Sequence, residues 1–254
     1  MSATPSPKIP AWPPRSAPRL FVEQAIHAGC NVRISGNQAH YLNKVMRIGL
    51  GDAVILCDDA TGEWACKATE ISKRDVWLEP VECLQPREEV PDFWLCPALL
   101  KKDRFDKVLE KATELGVRRI QPVLMRRCVA DKLNLSRAKI LVTEAAEQCA
   151  RTALPDVQEP QKLDAMLRDW SPDRTLFFAD EMGGEPASQQ FAVHTGPAAI
   201  LIGPEGGFDD AEREILLAHP KVAPVSLGPR ILRGETASLA ATAIWMATCG
   251  DWSN

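Results

Sequence analysis

The sequence predicts a two-part α/β protein: a small β-barrel, then a mainly parallel sheet covered by helices on both faces. Three observations lead there. Residues 19–85 read as short strand-like runs broken by turns. Residues 86–91, with Pro86, Glu88, Glu89 and Pro91, read as a linker. Over residues 92–254, apolar strand-like runs alternate with helical periodicity, the pattern of βαβ units.

Taken in order, residues 1–18 hold six prolines and cannot form a helix, so an extended or disordered segment is expected. The segment is basic and acid-poor, as a targeting peptide would be, but its prolines argue against the amphipathic helix such a peptide needs. In the barrel, residues 32–34, 53–57, 64–71 and 76–81 are strand-like, 49–52 and 58–62 are turn-like, and a short helix is expected over 39–47. Residues 93–100 form the next strand. Phe105, Val108, Leu109, Ala112 and Leu115 recur at helical spacing, and Gly116 is placed to end that helix. A strand is expected over 119–124, then a helix capped by Ser136 and running to about residue 150. Residues 175–179 and 198–202 are apolar strands. Asp209 and Glu212 form a capping box for a helix through 218, residues 222–227 form a strand, and residues 238–248 form an alanine-rich helix.

With 45% hydrophobic and 25% charged residues, the composition is that of a soluble globular protein. No apolar run approaches the length of a membrane span, and no secretory apolar core follows Met1. The eight cysteines, at 30, 57, 66, 83, 96, 128, 149 and 249, never fall at C-x-x-C spacing, and the four histidines are dispersed. No metal site is therefore expected, and the thiols are read as reduced and mostly buried, in a cytoplasmic protein. The net charge of −4 does not advertise nucleic-acid binding; its distribution says more. Residues 101–139 carry twelve Lys/Arg against five Asp/Glu, whereas residues 140–254 carry eight against seventeen. A basic segment in an acidic chain fits phosphate contact, but on charge alone a solvated helix face is the better reading.

The densest signal is a pair of glycine-bearing loops. The first, Leu201-Ile202-Gly203-Pro204-Glu205-Gly206-Gly207-Phe208, directly follows an apolar strand; the second, residues 226–237, runs Ser-Leu-Gly-Pro-Arg-Ile-Leu-Arg-Gly-Glu-Thr-Ala between a strand and a helix. Ligands of parallel sheets bind beyond the carboxyl ends of strands, and glycines there admit backbone groups close to a ligand. Neither loop is G-x-G-x-x-G or a phosphate-gripping P-loop, and neither carries lysine. Their apolar residues Leu201, Leu227, Ile231 and Leu232 suit a flat uncharged ring better than a triphosphate.

These two loops resemble the cofactor motifs of the RsmE family of ribosomal RNA methyltransferases, of the SPOUT class. Residues 101–117 (KKDRFDKVLEKATELGV) resemble the family's first helix, residues 144–151 (EAAEQCAR) its second, and residues 40–47 (HYLNKVMR) its N-terminal motif. The match runs in order from about Arg19 to Thr248. The resemblance implies a trefoil-knotted SPOUT domain, a PUA-like RNA-binding barrel, S-adenosyl-L-methionine as cofactor, and a homodimer with the cofactor pocket near the subunit interface. It also implies methylation of N3 of a uridine in 16S ribosomal RNA of the small ribosomal subunit.

On this reading the cofactor contacts are Leu201, Ile202, Gly203, Pro204, Glu205, Gly206 and Gly207 in the first loop, and Leu227, Gly228, Ile231, Leu232, Thr236 and Ala237 in the second. As the N3 proton leaves, charge spreads onto the ring oxygens. Arg233 is the first candidate to stabilise it and Arg230 the second; each is equally readable as a phosphate clamp or structural ion pair. Glu205 and Glu235, the carboxylates within the motifs, accept a proton or orient the base, and Glu235 alternatively caps the last helix. RNA candidates are Arg19, Lys44, Arg47, Lys101, Lys102, Arg104, Arg126, Arg127 and Arg151. His40 reads as packed or capping, and Tyr41 as a core residue or a stacking platform. Two other readings compete: a non-catalytic RNA-binding adaptor of the ribosome, and an unrelated nucleotide-using enzyme on a doubly wound sheet, against which the absent phosphate motifs weigh.

Overall fold

The computed structural model describes residues 12–253, so most of the proline-rich start lies outside the described residues. The chain divides into two compact units: residues up to Glu88 together with Ala150–Ala153, and Glu89–Cys149 together with residues from Leu154 onward.

The first unit is a five-stranded sheet of order β1-β3-β4-β5-β2, made by β1 (Arg19–Phe21), β2 (Val32–Ser35), β3 (Ala53–Asp58), β4 (Gly62–Ile71) and β5 (Asp75–Pro86), with α1 (Gly36–His40) after β2. Only the β1–β3 pair is parallel. Leu20, Ile34, Val54, Leu56, Val76 and Leu78 meet in a single core. Asp58 holds the turn after β3: its carboxylate accepts from the backbone N–H of Ile26 at 2.7 Å and Ala60 at 2.7 Å, from the Thr61 hydroxyl at 2.6 Å, and from the Thr61 backbone. Burial pushes the Asp58 carboxyl up, but these hydrogen bonds outweigh it and leave its pKa below the ordinary carboxylate value. Residues 150–153 join this unit because the Glu88 carboxylate accepts from the N–H of Thr152 and Ala153.

The unit departs from the sequence expectation in three places. β5 continues through Pro86, five residues past the expected end and into the expected linker, with Pro86 opposite Gly62. The helix expected over 39–47 begins earlier, as α1, and becomes a π-helical turn over Tyr41–Met46, ended by Arg47 at φ 53°. That turn leaves His40 exposed and Tyr41 37% exposed, so neither is packed in the core.

The second unit contains β6 (Phe93–Pro97), α2 (Lys102–Glu114), β7 (Arg119–Ile120), β8 (Val123–Leu124), α3 (Leu135–Cys149), β9 (Asp156–Val157), β10 (Gln161–Lys162), α4 (Leu163–Arg168), β11 (Thr175–Ala179), β12 (Glu185–Pro186), α5 (Ala187–Ala192), β13 (Ala198–Ile202), α6 (Asp210–Ala218), β14 (Val222–Ser226) and α7 (Gly234–Thr248). Seven strands form an all-parallel sheet of order β12-β14-β11-β13-β6-β7-β9. Strand alternation divides its side chains between two cores. Phe93, Leu95, Phe177, Ile200 and Ile202 face one core with α2, α3, α5 and α7, while Cys96, Leu176, Phe178, Ala199 and Leu201 face the other with α4 and α6. Both faces are therefore helix-covered, which is why these strands read as continuous apolar runs.

α2 ends as its glycine predicts: Gly116 adopts φ +93°, and the N–H of Val117 returns to the Ala112 carbonyl at 3.0 Å. The capping box of Asp209 and Glu212 is formed. Other details differ. The strand expected over 119–124 is two pieces, because Pro122 lacks an N–H and the chain leaves the large sheet there; β8 pairs instead with β10. The residue capping α3 is Asn134, whose Oδ1 accepts from the Arg137 N–H at 3.0 Å, rather than Ser136. α7 starts at Gly234, four residues ahead of the expected start. Three of the eight thiols are buried (Cys57, Cys66 and Cys96), fewer than expected, and among the described residues none of the eight forms a disulfide. No helix among the described residues is long and apolar enough to cross a membrane.

Candidate active site

The two motif loops follow β13 and β14, and β11 lies between those strands in the sheet. Three loops therefore emerge side by side at one sheet end, and they enclose a cleft of about 220 Å³. The first loop contributes Ile202, Gly203, Pro204, Gly207 and Phe208; the second contributes Ser226 through Leu232, then Gly234 and Ala237. The third contributor is the loop after β11, with Ala179, Asp180, Glu181 and Gly183, which the sequence reading missed. Its signal was present: Asp180-Glu181-Met182-Gly183-Gly184 follows an apolar strand just as the motif loops do.

Tight packing shapes the loops. A Cβ on Gly203 would stand 3.0 Å from the Phe208 ring, and one on Gly234 would stand 3.0 Å from a Leu100 methyl and 3.4 Å from the Gly203 carbonyl. Gly207, at φ +70°, lies under the carboxylate of the exposed Glu181; the left-handed backbone, more than that movable side chain, is what favours glycine there. Gly228 is set differently: its φ of +107° needs glycine, yet nothing lies within 4 Å of where a Cβ would be. Asp180 is a brace, its carboxylate held by Arg213 at 2.8 Å and by the Met182 N–H at 3.0 Å. Glu181 is exposed on the cleft wall and forms no ion pair among the described residues.

Not every expected cofactor contact reaches the cleft. Leu201 is fully buried in the opposite core, because strand alternation turns it away from Ile202. Gly206 packs against Arg127, and Glu205 and Thr236 are exposed outside the cleft lining. Of the expected catalytic residues, Arg230 lines the cleft, and Arg233 stands exposed as the N-cap residue of α7. Glu205 is held by Arg104 at 3.1 Å, and Arg104 also approaches Glu235 at 3.8 Å. Glu235 lies in the first turn of α7 but supplies no capping hydrogen bond, and its Oε2 is buried without a partner.

The expected RNA residues separate into groups. Lys44 and Arg47 are exposed on the first unit; Arg19, in the same unit, is tied to Glu63 at 2.8 Å, and Arg151 is buried. In the second unit Lys101 and Lys102 are exposed. Three arginines instead hold the first motif loop and the helix behind it: Arg104 on Glu205, Arg126 on Asp209 at 2.8 Å, and Arg127 on the Gly206 carbonyl at 2.9 Å.

Residues 87–246 match the family model of the RNA methyltransferase domain, and residues 34–81 match that of the RNA methyltransferase PUA domain. The ribosomal RNA small subunit methyltransferase E of Bacillus subtilis is 32% identical over 87% of this chain and 93% of its own length. The protein of the same name from Rickettsia conorii is 27% identical over 89% of this chain and 93% of its own. Among solved structures, the ribosomal RNA small subunit methyltransferase E of Neisseria gonorrhoeae, bound to S-adenosyl methionine, superposes with a TM-score of 0.84 at 28% identity, covering 93% of this chain and 99% of that one. The fold is thus of the SPOUT type with an N-terminal PUA-like domain.

Proposed function

Because this chain belongs to the RNA methyltransferase family, among the ribosomal RNA small subunit methyltransferase E proteins, we propose that it methylates N3 of a uridine in 16S ribosomal RNA using S-adenosyl-L-methionine. The observation that carries the reading is the convergence of three loops on one cleft at the carboxyl end of a parallel sheet.

The residues present suit an adenosine bearing a sulfonium. Ile202, Leu227 and Leu232 offer apolar surface to the faces of a purine, and the glycine-rich backbone can approach its edge. The Glu181 carboxylate can accept from ribose hydroxyls, as acidic residues do in other nucleoside sites on parallel sheets. When bound, the cofactor supplies an electrophilic methyl group, and the protein's task is to align the nucleophile with it. Arg230 and Arg233 place positive charge where the uridine ring oxygens gain negative charge as N3 loses its proton. Of the two motif carboxylates, Arg104 holds Glu205 at 3.1 Å and reaches Glu235 more loosely, at 3.8 Å; Oε2 of Glu235 receives no hydrogen bond among the described residues and is the better proton acceptor. The exposed Lys44, Arg47, Lys101 and Lys102 are placed to meet phosphates. The protein is read as a cytoplasmic homodimer acting on the small ribosomal subunit.

Methyl transfer from radiolabelled S-adenosyl-L-methionine to 30S subunits tests this. Wild-type protein is expected to incorporate one methyl per subunit, and Arg233→Ala to lower kcat roughly 10²–10³-fold while still binding RNA. RNA binding without methyl incorporation by the wild type would favour the adaptor reading.

A further inference from the structure

A second cavity, of about 340 Å³, opens beside the first turn of α2. Every residue lining it lies between Leu99 and Ala138, so it is built almost wholly from the basic segment that the cofactor cleft does not use. Its volume falls within the roughly 300–1,000 Å³ typical of small-ligand sites. Leu99, Leu100, Phe105, Ala130 and Leu133 supply apolar walls. Lys102 and Lys132 are exposed on its lining and form no ion pair among the described residues, whereas Asp106 is neutralised by Arg137 at 2.7 Å. The cavity thus joins an apolar interior to two uncompensated ammonium groups. It also adjoins the cofactor cleft: the Leu100 methyls that wall it lie against Gly234, which lines that cleft.

We propose that this cavity seats an unpaired nucleotide of the RNA substrate, its base against Ala130 and Leu133 above the buried floor of Leu99, Leu100 and Phe105 and its phosphates on Lys102 and Lys132. Apolar walls accept any base face, ammonium groups match the phosphate charge, and the single Leu100 side chain keeps the seated nucleotide close to the methyl-transfer cleft. The assignment rests on the RNA methyltransferase reading and extends it, since it gives the substrate strand a path along the second unit.

Two variants test it, each with S-adenosylhomocysteine affinity as an internal control. Ala130→Trp fills the cavity, and Lys102→Ala/Lys132→Ala removes its cations. Both are expected to bind S-adenosylhomocysteine as the wild type does, and to bind fluorescein-labelled oligouridine at least 10-fold more weakly. In the double variant the slope of log affinity against log salt should fall by about 1–2, as for the loss of one or two phosphate contacts, and Lys102→Arg/Lys132→Arg should restore it. Unchanged oligouridine affinity and salt slope in both variants would overturn the proposal. Loss of dimer instead of RNA affinity would overturn it too, assigning the cavity to a second copy of the chain. A wild type that binds oligouridine through this cavity but methylates no 30S subunit would contradict the enzymatic reading alone.

Discussion

Replacing Gly203 by alanine isolates the role of the first loop, because the perturbation is a single methyl group. Its carbon would sit 3.0, 3.2 and 3.3 Å from three atoms of the Phe208 ring. That ring cannot swing away freely: Phe208 is 7% exposed and packs edge-on against Phe178 at 5.4 Å, on the core side of the cleft. A displacement of a few tenths of an ångström must pass into the cleft wall or the core, and such overpacking typically costs about 1–3 kcal/mol. If the strain is relieved when the cleft is empty and must be re-imposed for binding, affinity for S-adenosylhomocysteine falls roughly 5–150-fold. Isothermal titration calorimetry measures that loss, and urea denaturation gives the stability change separately. Affinity within twofold of wild type, with stability also unchanged, would refute the claim that Gly203 and Phe208 together set the cleft wall.

Three further outcomes are expected. Asp58→Ala strips the acceptor from several donors around a buried turn and should destabilise the first unit by on the order of 3 kcal/mol in urea denaturation. In the wild type the same carboxyl, with its pKa lowered on folding, contributes stability that is complete above the ordinary carboxylate pKa and is lost as pH falls through the lowered value; an acid titration showing no loss there would count against the hydrogen-bond assignment. Burial pushes the thiols of Cys66 and Cys96 up to about 12, so native protein treated with iodoacetamide at mildly alkaline pH should be alkylated at the exposed Cys30, Cys83 and Cys149 and spared at those two, as read by peptide mass spectrometry. Tyr41→Ala should weaken single-stranded RNA binding by about 1–3 kcal/mol, the worth of one base–aromatic stack, compared at a temperature where both proteins are folded; full RNA affinity would show that the ring, 37% exposed, is idle.

The long elements and the cleft's outer loops were legible because their signals are local. The strands at 175–179 and 198–202, the helix ended by Gly116 and the Asp209–Glu212 box each declare themselves within a few residues. What escaped depends on tertiary placement. β9, β10 and β12 are two residues each, too short to carry any periodicity, and α4 and α5 have six apiece. The loop after β11 belongs to the site only because β11 is inserted between β13 and β14, a sheet order that no linear pattern states. Leu201 is the converse case: it is adjacent to the cleft residue Ile202 in the motif, but alternation sends its side chain to the opposite core. The arginines of the basic segment show the same limit. Their charge was visible, but Arg104, Arg126 and Arg127 spend part of it in surface contacts with the first motif loop and the helix that follows.

A crystal structure of the protein grown with S-adenosylhomocysteine would address the core claim most directly. Electron density for the adenosine is expected between Gly203–Gly207 and Leu227–Leu232, with the ribose beside Glu181 and the sulfur turned toward Arg230. Ligand density elsewhere on the molecule, or an empty cleft at saturating ligand, would contradict it.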